Sequence, residues 1–380
     1  ITQFDATGHP VRFACEVKDF DPELYMDRKE ARRADRFLQF AMATAVQAAE
    51  QADLEGIMRS TAPERVGVIV GSGIGGLTTL EDQHSKLLDR GPGRVSPFFS
   101  PMFIGDMAAG MISMRYGAQG PNYATVSACA SSAHAVGSAL RAIRVGEADV
   151  MIAGGTEATV TPLCMAGFAS MKALSERNDS PDTASRPFDA TRDGFVLGEG
   201  AGMLVLERLD HARARGAKII AELAGFGQSA DAYHMTAPPP GGVGAQIAIR
   251  AAMRDAELSI EDVDYINAHG TSTPANDSTE SAAVRAVFGE QADRLLVSST
   301  KSMTGHLLGG AGGIETDFCA LAIHHGIIPP TINYENQDVE CDLDYVPNVA
   351  RRQPITCALT NSFGFGGTNG CLLLKAYNHN

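Results

Sequence analysis

The sequence contains no run of 18 apolar residues, which excludes a transmembrane helix. Its opening stretch, ITQFDATGHP, lacks the basic and apolar regions of a secretory signal, so we expect no signal peptide within it. Basic residues are scarce relative to acidic ones, with 31 Lys and Arg against 45 Asp and Glu and a formal net charge of -14. Because nucleic-acid-binding proteins usually carry the opposite balance, we expect neither nucleic acid nor a membrane as a partner.

No Cys-x-x-Cys pair occurs, and no histidine lies at zinc-finger spacing from a cysteine. The sequence therefore indicates neither a disulfide framework nor a structural metal site. A reduced, cytoplasmic setting fits best, and one thiol is available for chemistry rather than structure. The seven cysteines are scattered along the chain: Cys15, Cys129, Cys164, Cys319, Cys341, Cys357 and Cys371.

The 380 residues exceed what one small core normally fills, which favours two domains or one duplicated domain. Apolar segments that read as buried strands alternate with helical patterns, and this alternation predicts an α/β fold with parallel strands covered on both faces. The clearest strands are predicted at 65–70, 148–155, 198–206 and 264–270, and a hairpin-like pair at 355–374. A weak internal sequence repeat and the charged stretch RLDHARARGAK predict a boundary, or seam, between two similar halves near Gly216. The halves are then residues 1–217 and 218–380.

Cys129 lies in TVSACASSAHAVG, where a strand-like segment leads directly into a helix of small residues. At a helix start, the macrodipole and the unpaired N–H groups are expected to favour the thiolate and lower the pKa of the thiol. The same N–H groups could stabilise an oxyanion. A buried structural cysteine is an equally good interpretation of this segment alone.

Two histidines also follow predicted strands. His269 lies in INAHGTSTPAND, at the carboxyl end of a strand, where α/β sheets bind their ligands. His306 lies in SSTKSMTGHLLGGAGGIE, five residues after Lys301. The alternatives are an incidental histidine beside a Gly-rich packing helix and an exposed lysine, which is the usual environment of that residue.

Two glycine-rich segments complete the set. Gly71, Gly73 and Gly76 match the GxGxxG spacing of dinucleotide sites, but no acidic residue for a ribose follows on a second strand, so nucleotide binding is disfavoured. Near the end of the chain, TNSFGFGGTNG reads either as a loop that touches a ligand or as the turn of a hairpin.

These segments together resemble the β-ketoacyl-[acyl-carrier-protein] synthases, and most closely the type II elongating enzymes, over essentially the whole chain. The resemblance implies a thiolase-like five-layered α/β/α/β/α fold from two similar halves, usually a homodimer. The stretches that carry the resemblance are GSGIGG, SPFF, ACASS, ADVMIAGGTEA, RPFDATRDGFVLGEGAG, DAYHMTAPPP, NAHGTSTPAND, SSTKSMTGHLLGGAGG and NSFGFGGTNG.

The resemblance also implies roles for single residues. Cys129 corresponds to the acyl-accepting nucleophile, His269 and His306 to the paired catalytic histidines, and Lys301 to the supporting lysine. Phe365 corresponds to the gating residue, whose N–H completes an oxyanion hole with that of Cys129. The residues expected at the substrate are Thr271 and Thr273 on the phosphopantetheine arm, Ile74 at the acyl pocket, Phe168 and Phe195 near the reacting centre, and Glu315, the acidic residue that follows the last histidine.

The implied reaction is the decarboxylative condensation of an acyl-cysteine with a malonyl thioester, which needs neither a metal nor a cofactor. The expected partner is acyl carrier protein. Its docking patch would be basic residues of MDRKEARRADRF on a helix, although a solvated helix face explains the same charges. Those residues are Lys29, Arg32, Arg33 and Arg36.

Three other functions are compatible with the same fold: a polyketide ketosynthase, a degradative thiolase and a non-catalytic chain-length partner subunit. A thiolase should carry a second cysteine where this chain has His306, and a non-catalytic partner should lack Cys129. Family members begin with a strand and a Gly-rich turn that precede the FDAT-like segment. That stretch is absent from this sequence, and the strand would be expected at the centre of the first sheet.

Overall fold

A computed structural model of the protein describes residues 1–378. The first half alternates helices with four strands, as the sequence predicts. Its elements are α1 (Arg28–Ala31), α2 (Arg36–Ala52), α3 (Leu54–Ser60), β1 (Val66–Gly71), α4 (Leu77–Arg90), α5 (Phe99–Phe103), α6 (Met107–Tyr116), β2 (Asn122–Thr125), α7 (Ser131–Arg144), β3 (Val150–Glu157), α8 (Pro162–Ser170), β4 (Gly200–Glu207) and α9 (Leu209–Ala214).

The second half repeats this alternation and ends in the predicted hairpin. Strand β2 was not predicted, because its sequence NYAT is short, polar and partly exposed and so lacks the apolar run that marks the other strands. The elements of the second half are β5 (Glu222–Ala230), α10 (Val243–Asp255), β6 (Tyr265–Asn267), α11 (Pro274–Phe288), β7 (Leu296–Ser298), α12 (Lys301–Thr304), α13 (Ala311–His325), β8 (Ile327–Ile328), β9 (Arg351–Arg352), β10 (Cys357–Gly364) and β11 (Thr368–Lys375).

Two sheets form the frame, one in the order β2-β1-β3-β4 and one in the order β5-β11-β10-β6-β7. Strands β2, β1 and β3 run parallel, as do β10, β6 and β7, whereas β4, β11 and β5 run antiparallel to their neighbours. The predicted parallel strands and the predicted hairpin are therefore both present, but the antiparallel direction of strands β4 and β5 was not predicted. For β10 and β11 the antiparallel pairing has a local reason, because a three-residue turn joins them and a short turn permits only antiparallel pairing.

Five layers result, because both sheets are covered on both faces. In β1, Val66, Val68 and Val70 belong to the core shared with α2 and α6, whereas Ile69 faces the opposite way into the core around α7. Helices α7 and α13 lie between the sheets, and α10 and α11 cover the outer face of the second sheet. The predicted α/β/α/β/α architecture is confirmed.

Glycines on the strands let the two central helices lie against the backbone of the first sheet. A Cβ atom at Gly71 would lie 2.4 Å from the main-chain carbon of Ser131, the first residue of α7. A Cβ at Gly202 would lie 2.3 Å from the backbone nitrogen of Ile314 in α13. The close approach brings the beginnings of α7 and α13 into the middle of the molecule.

The two sheets are built from residues 66–207 and 222–375, on either side of the predicted seam. The second sheet has one strand more than the first, and this strand, β5, lies at an edge beside β11. The corresponding position in the first sheet is the edge beside β4. The first strand of family members was expected at the centre of this sheet, and that expectation is wrong, because β2, β1, β3 and β4 are hydrogen-bonded side by side without a gap. No helix within residues 1–378 combines the length and apolar character needed to cross a bilayer.

Candidate active site

Cys129 lies immediately before α7, whose N-cap is Ala130, and is 8% exposed. The preceding residue, Ala128, adopts φ +49°, an uncommon conformation for a residue that carries a Cβ. The Ser131 hydroxyl donates to the carbonyl of Ala128 at 2.7 Å and accepts from the N–H of Ser127 at 2.9 Å. These bonds hold a tight turn that presents the sulfur at the start of the helix.

The imidazole of His306 directly contacts this sulfur, with 3.2 Å between Nε2 and Sγ. Its backbone is fixed against the segment before β4: the N–H of His306 donates to Val196, and its carbonyl accepts from Gly198. The ring of Phe195 packs edge-on against the imidazole, with 5.4 Å between ring centroids. A thiol and a histidine separated by 177 residues therefore form one hydrogen-bonded pair.

His269 follows β6 and lies beside this pair, its ring centroid 5.3 Å from that of His306 in an edge-to-face arrangement. One ligand atom each from Cys129, His269 and His306 lies within 4.8 Å of the others, so the three could also converge on a metal ion. All three side chains are at most 8% exposed. The structure therefore brings together the three residues that the sequence singled out.

Glu280 holds the backbone of His269 and was not predicted. Its carboxylate accepts from the N–H of His269 at 2.9 Å, from the N–H of Gly270 at 2.8 Å and from the Asn361 amide at 3.0 Å. Asp277, Glu280 and Ser281 are all buried on α11. Polar residues at positions i, i+3 and i+4 fall on one helix face, and that spacing could have indicated a polar network beneath the His269 loop.

Lys301 is 1% exposed, and its ammonium group pairs with Glu315, so the alternative of an exposed lysine is wrong. Burial raises the pKa of Glu315 to about 7, although the nearby Lys301 charge acts in the opposite direction. Glu315 was expected among the substrate-binding residues; its side chain is 2% exposed and contacts Lys301 instead.

Burial dominates the electrostatics of the site. It lowers the pKa of both His269 and His306 well below the ordinary value, and the Lys301 charge lowers them further, so both imidazoles are neutral near pH 7. Burial raises the pKa of Cys129 to about 12, despite opposing effects of Lys301 and of the Phe365 N–H. The predicted lowering of the thiol pKa is therefore wrong, because burial outweighs the effects of the Lys301 charge and the Phe365 N–H.

Phe365 lies in the three-residue turn between β10 and β11, which is the hairpin interpretation of the Gly-rich segment. The two following glycines, Gly366 and Gly367, have φ of +82° and +71°. The N–H of Phe365 donates to the Cys129 thiol, while its side chain is 38% exposed. The same turn therefore touches both the nucleophile and solvent.

The remaining predicted residues surround this centre at different distances. Thr271 and Thr273 lie just after His269, and their hydroxyls are 2.9 Å apart. Phe168 packs edge-on against Phe195 at 5.3 Å, one ring removed from His306. Ile74 lies in the loop after β1 and is 38% exposed.

The expected docking residues do not share one helix. Lys29 lies in α1, Arg32 and Arg33 follow it, and all three are exposed. Arg36 begins α2 and does not belong to the docking patch, because its guanidinium donates to the buried carboxylate of Glu199. A patch of three exposed cations on a short helix and the turn after it remains.

Comparisons with known proteins agree with this description. The Beta-ketoacyl synthase N-terminal domain matches residues 4–212, and the Beta-ketoacyl synthase C-terminal domain matches residues 220–335. The 3-oxoacyl-[acyl-carrier-protein] synthase 2 of Synechocystis sp. is 55% identical over 377 residues, covering 99% of this chain and 90% of that protein. The protein of the same name from Coxiella burnetii is 54% identical over 375 residues, with the same two coverages.

Solved structures show the same fold. The ketosynthase of a type II polyketide synthase, in complex with its acyl carrier protein and bound to the hexaketide, superposes with a TM-score of 0.91 at 35% identity, over 98% of this chain and 90% of that one. A beta-ketoacyl synthase from Burkholderia phymatum superposes with a TM-score of 0.90 at 34% identity, over 97% and 89%.

The five-layered fold, with a buried cysteine and two histidines where the halves meet, defines a thiolase-like acyltransferase. Two domain models of one family, and relatives more than half identical over nearly the whole chain, narrow that class. The chain belongs to the β-ketoacyl synthase family.

The raised pKa of Cys129 predicts how its alkylation depends on pH. Because the thiol is neutral at pH 7, the rate of modification by iodoacetamide should rise about tenfold per pH unit between pH 7 and pH 10, without a plateau. Peptide mass spectrometry measures this rate at Cys129, and a Cys129→Ser variant gives the background from the six other cysteines. A plateau near neutral pH would instead show a preformed thiolate–imidazolium pair.

Proposed function

We propose that this protein is a 3-oxoacyl-[acyl-carrier-protein] synthase that elongates fatty acyl chains by decarboxylative condensation with malonyl-acyl carrier protein. The observation that carries the proposal is the contact between Cys129 Sγ and His306 Nε2 at 3.2 Å, with His269 in the same buried cluster. The identity of 53–55% to proteins named 3-oxoacyl-[acyl-carrier-protein] synthase 2 supports the choice of substrate.

The first step is acyl transfer to Cys129. As Sγ attacks the carbonyl carbon of an acyl thioester, the thiol proton passes to Nε2 of His306, so that no free thiolate accumulates in the dry site. The oxyanion accepts hydrogen bonds from the N–H groups of Cys129 and Phe365. The carbon–sulfur bond of the thioester then breaks, and the carrier thiol leaves with the proton that His306 holds.

The second step begins with a malonyl thioester. Its carboxyl group leaves as CO2, and the electron pair of the broken carbon–carbon bond moves into an enolate. His269 and His306 stabilise the enolate oxygen through imidazole N–H donors, and for this step His306 must adopt the tautomer that carries its proton on Nε2. Because both rings are neutral, they add no fixed charge that would trap the carboxylate. The enolate carbon attacks the acyl carbon, and Cys129 departs as a thiolate as the new carbon–carbon bond forms. A proton taken up from solvent then restores the neutral thiol.

Lys301 and Glu315 support this chemistry from beneath the histidines. The Lys301 charge lowers the pKa of both imidazoles and of the thiol, and Glu315 satisfies the buried ammonium group. Removing either partner would leave an uncompensated buried charge, which is strongly destabilising. We therefore assign Glu315 to the support of Lys301.

The residues around the centre are assigned to the substrate. Thr271 and Thr273 present their hydroxyls beside His269, where a phosphopantetheine arm could accept and donate hydrogen bonds. Phe168 and Phe195 provide apolar surface next to His306. Ile74 is assigned to the acyl pocket.

Intact-mass spectrometry after incubation with an acyl-acyl carrier protein tests the function. We expect a single acyl adduct that maps to Cys129, and release of a 3-oxoacyl product when malonyl-acyl carrier protein is added. Cys129→Ser should abolish both signals, whereas Cys15→Ser, at a partly exposed thiol, should change neither. An adduct on another residue, or acylation without condensation product, would contradict the proposal.

The competing functions have less support. A thiolase would place a second cysteine where His306 contacts Cys129, and a non-catalytic partner subunit would lack the thiol. A polyketide ketosynthase shares the fold, but the ketosynthase of a type II polyketide synthase is 35% identical, well below the 55% identity to a 3-oxoacyl-[acyl-carrier-protein] synthase 2. The seven free cysteines suit a reducing, cytoplasmic compartment.

Acyl carrier protein is the proposed partner, and the exposed cations Lys29, Arg32 and Arg33 are its proposed docking patch. We expect Arg32→Glu with Arg33→Glu to raise the KM for acyl-acyl carrier protein about tenfold and to leave kcat nearly unchanged, because charges at an interface rim act mainly on encounter. Steady-state kinetics with carrier-bound and small-molecule thioesters separate the two effects. An equal loss with both substrates would count against docking at this patch.

A homodimer is also proposed, joined through the edge of the first sheet. Strand β2 lies at that edge, and Tyr123, Val126 and Met114 are 44%, 70% and 70% exposed. An exposed strand edge with apolar neighbours is a template for pairing, and antiparallel pairing of two copies of β2 would satisfy a two-fold axis.

Sedimentation velocity tests the dimer. The wild-type protein should sediment at twice the 40.0 kDa of one chain. Val126→Asp with Met114→Asp should shift it toward the monomer, because two charges would be buried without partners. Val349→Asp, at an equally exposed apolar residue of the second half, should have no effect. A monomeric wild type would refute the dimer.

A further inference from the structure

The loop after β1, which carries the GxGxxG spacing, donates hydrogen bonds to a buried carboxylate of this chain, that of Glu157. Glu157 ends β3 and is fully buried. Its Oε2 atom accepts from the N–H of Gly73 at 2.7 Å, and its Oε1 atom accepts from the N–H of Ile74 at 3.2 Å and from the Ser72 hydroxyl at 3.0 Å. The N–H groups that would hold a phosphate in a nucleotide site are thus occupied by a carboxylate.

The same carboxylate also reaches the segment after His306. Its Oε2 atom accepts from the N–H of Gly309 at 3.0 Å. The backbones of Gly73 and Gly309 pack directly against each other beside it, since a Cβ built on Gly309 would lie 2.1 Å from the nitrogen of Gly73 and 2.8 Å from Oε2 of Glu157. Leu308, between His306 and this contact, adopts φ +45°, so the segment follows a constrained path.

We propose that Glu157 is a positioning residue that determines acyl-chain specificity by fixing the Ile74 loop against the segment that follows His306. The inference rests on the proposed function, because it takes Ile74 as a wall of the acyl pocket. One carboxylate accepts from four hydrogen-bond donors on two segments that lie more than 230 residues apart in sequence. A shift of the Ile74 loop should therefore also displace the segment that follows His306.

Glu157→Gln should remove the acceptor of one N–H group in this hydrogen-bond cluster and keep the acceptor of the other N–H groups. The amide oxygen can take the place of Oε2 and keep the N–H groups of Gly73 and Gly309. The NH2 group then takes the place of Oε1 and donates to the Ser72 hydroxyl, and the N–H of Ile74 loses its acceptor. The variant therefore releases the Ile74 end and retains the Gly309 end.

Two measurements test the proposal. In hydrogen exchange, the peptide that covers 72–77 should exchange faster in Glu157→Gln, whereas the peptide that covers 307–312 should not change. In kinetics with butyryl-, octanoyl- and tetradecanoyl-acyl carrier protein, the ratio of kcat/KM between preferred and disfavoured chain lengths should fall about tenfold. Alkylation of Cys129 by iodoacetamide should not become slower than in wild type, because Glu157→Gln removes a charge that raises the pKa of the thiol.

Glu207→Gln is the matched control, because it removes a carboxylate whose side chain is only 8% exposed from Arg215 and His211 at the far end of β4. It should lower stability without changing the chain-length ratio. Ser72→Ala is the second variant, in case Glu157→Gln does not fold. It removes one donor to Glu157 and the acceptor of the Gly75 N–H, and we expect the same changes at smaller size.

The outcomes separate this inference from the proposed function. If the chain-length ratio and the 72–77 exchange match wild type in the folded variants, or if all chain lengths lose activity equally as in a merely destabilised protein, the positioning role is overturned. If the wild-type protein forms no condensation product, the proposed function fails, and hydrogen exchange still decides whether Glu157 holds the two segments.

Discussion

The contact between the Cys129 thiol and the His306 imidazole in a buried site is the constraint on which the rest depends. Desolvation penalises every charged form, so the resting pair is a neutral thiol beside a neutral imidazole. A nucleophile of this kind must lose its proton during attack rather than before it. The Lys301 charge and the Phe365 N–H each favour the thiolate, and both act at the moment when negative charge develops on sulfur or oxygen.

The fold meets this constraint with its central layer. Helices α7 and α13 begin next to each other because glycines on the strands beneath them leave no side chain in the way. Cys129 precedes the first helix and His306 precedes the second, so the chemistry lies where the two central helices start. Buried carboxylates then fix the loops that strands alone leave free: Glu280 holds the backbone of His269, and Glu157 holds the loop after β1.

Sequence motifs identify the reacting groups but not what holds them. Cys129, His269 and His306 could be predicted because each stands in a distinctive local context, and the alternation of apolar segments predicted nearly every strand. Glu157 and Glu280 could not, because their partners are backbone N–H groups distant in sequence and a carboxylate gives no local sign of burial. The sign of the Cys129 pKa shift was wrong for a related reason: the helix dipole can be inferred from the sequence, whereas the exclusion of water depends on tertiary packing. Arg36 shows the same limit, since its partner Glu199 lies 163 residues away.

The turn between β10 and β11 joins two roles in one residue. Phe365 offers its backbone N–H to the sulfur and is 38% exposed to solvent, in a turn of three residues. The oxyanion of acyl transfer needs that N–H while the carrier arm is still in the site. An arm that enters past Phe365 must therefore rotate the ring about its own side-chain bonds, or displace the whole turn and let it return before the carbonyl carbon is attacked.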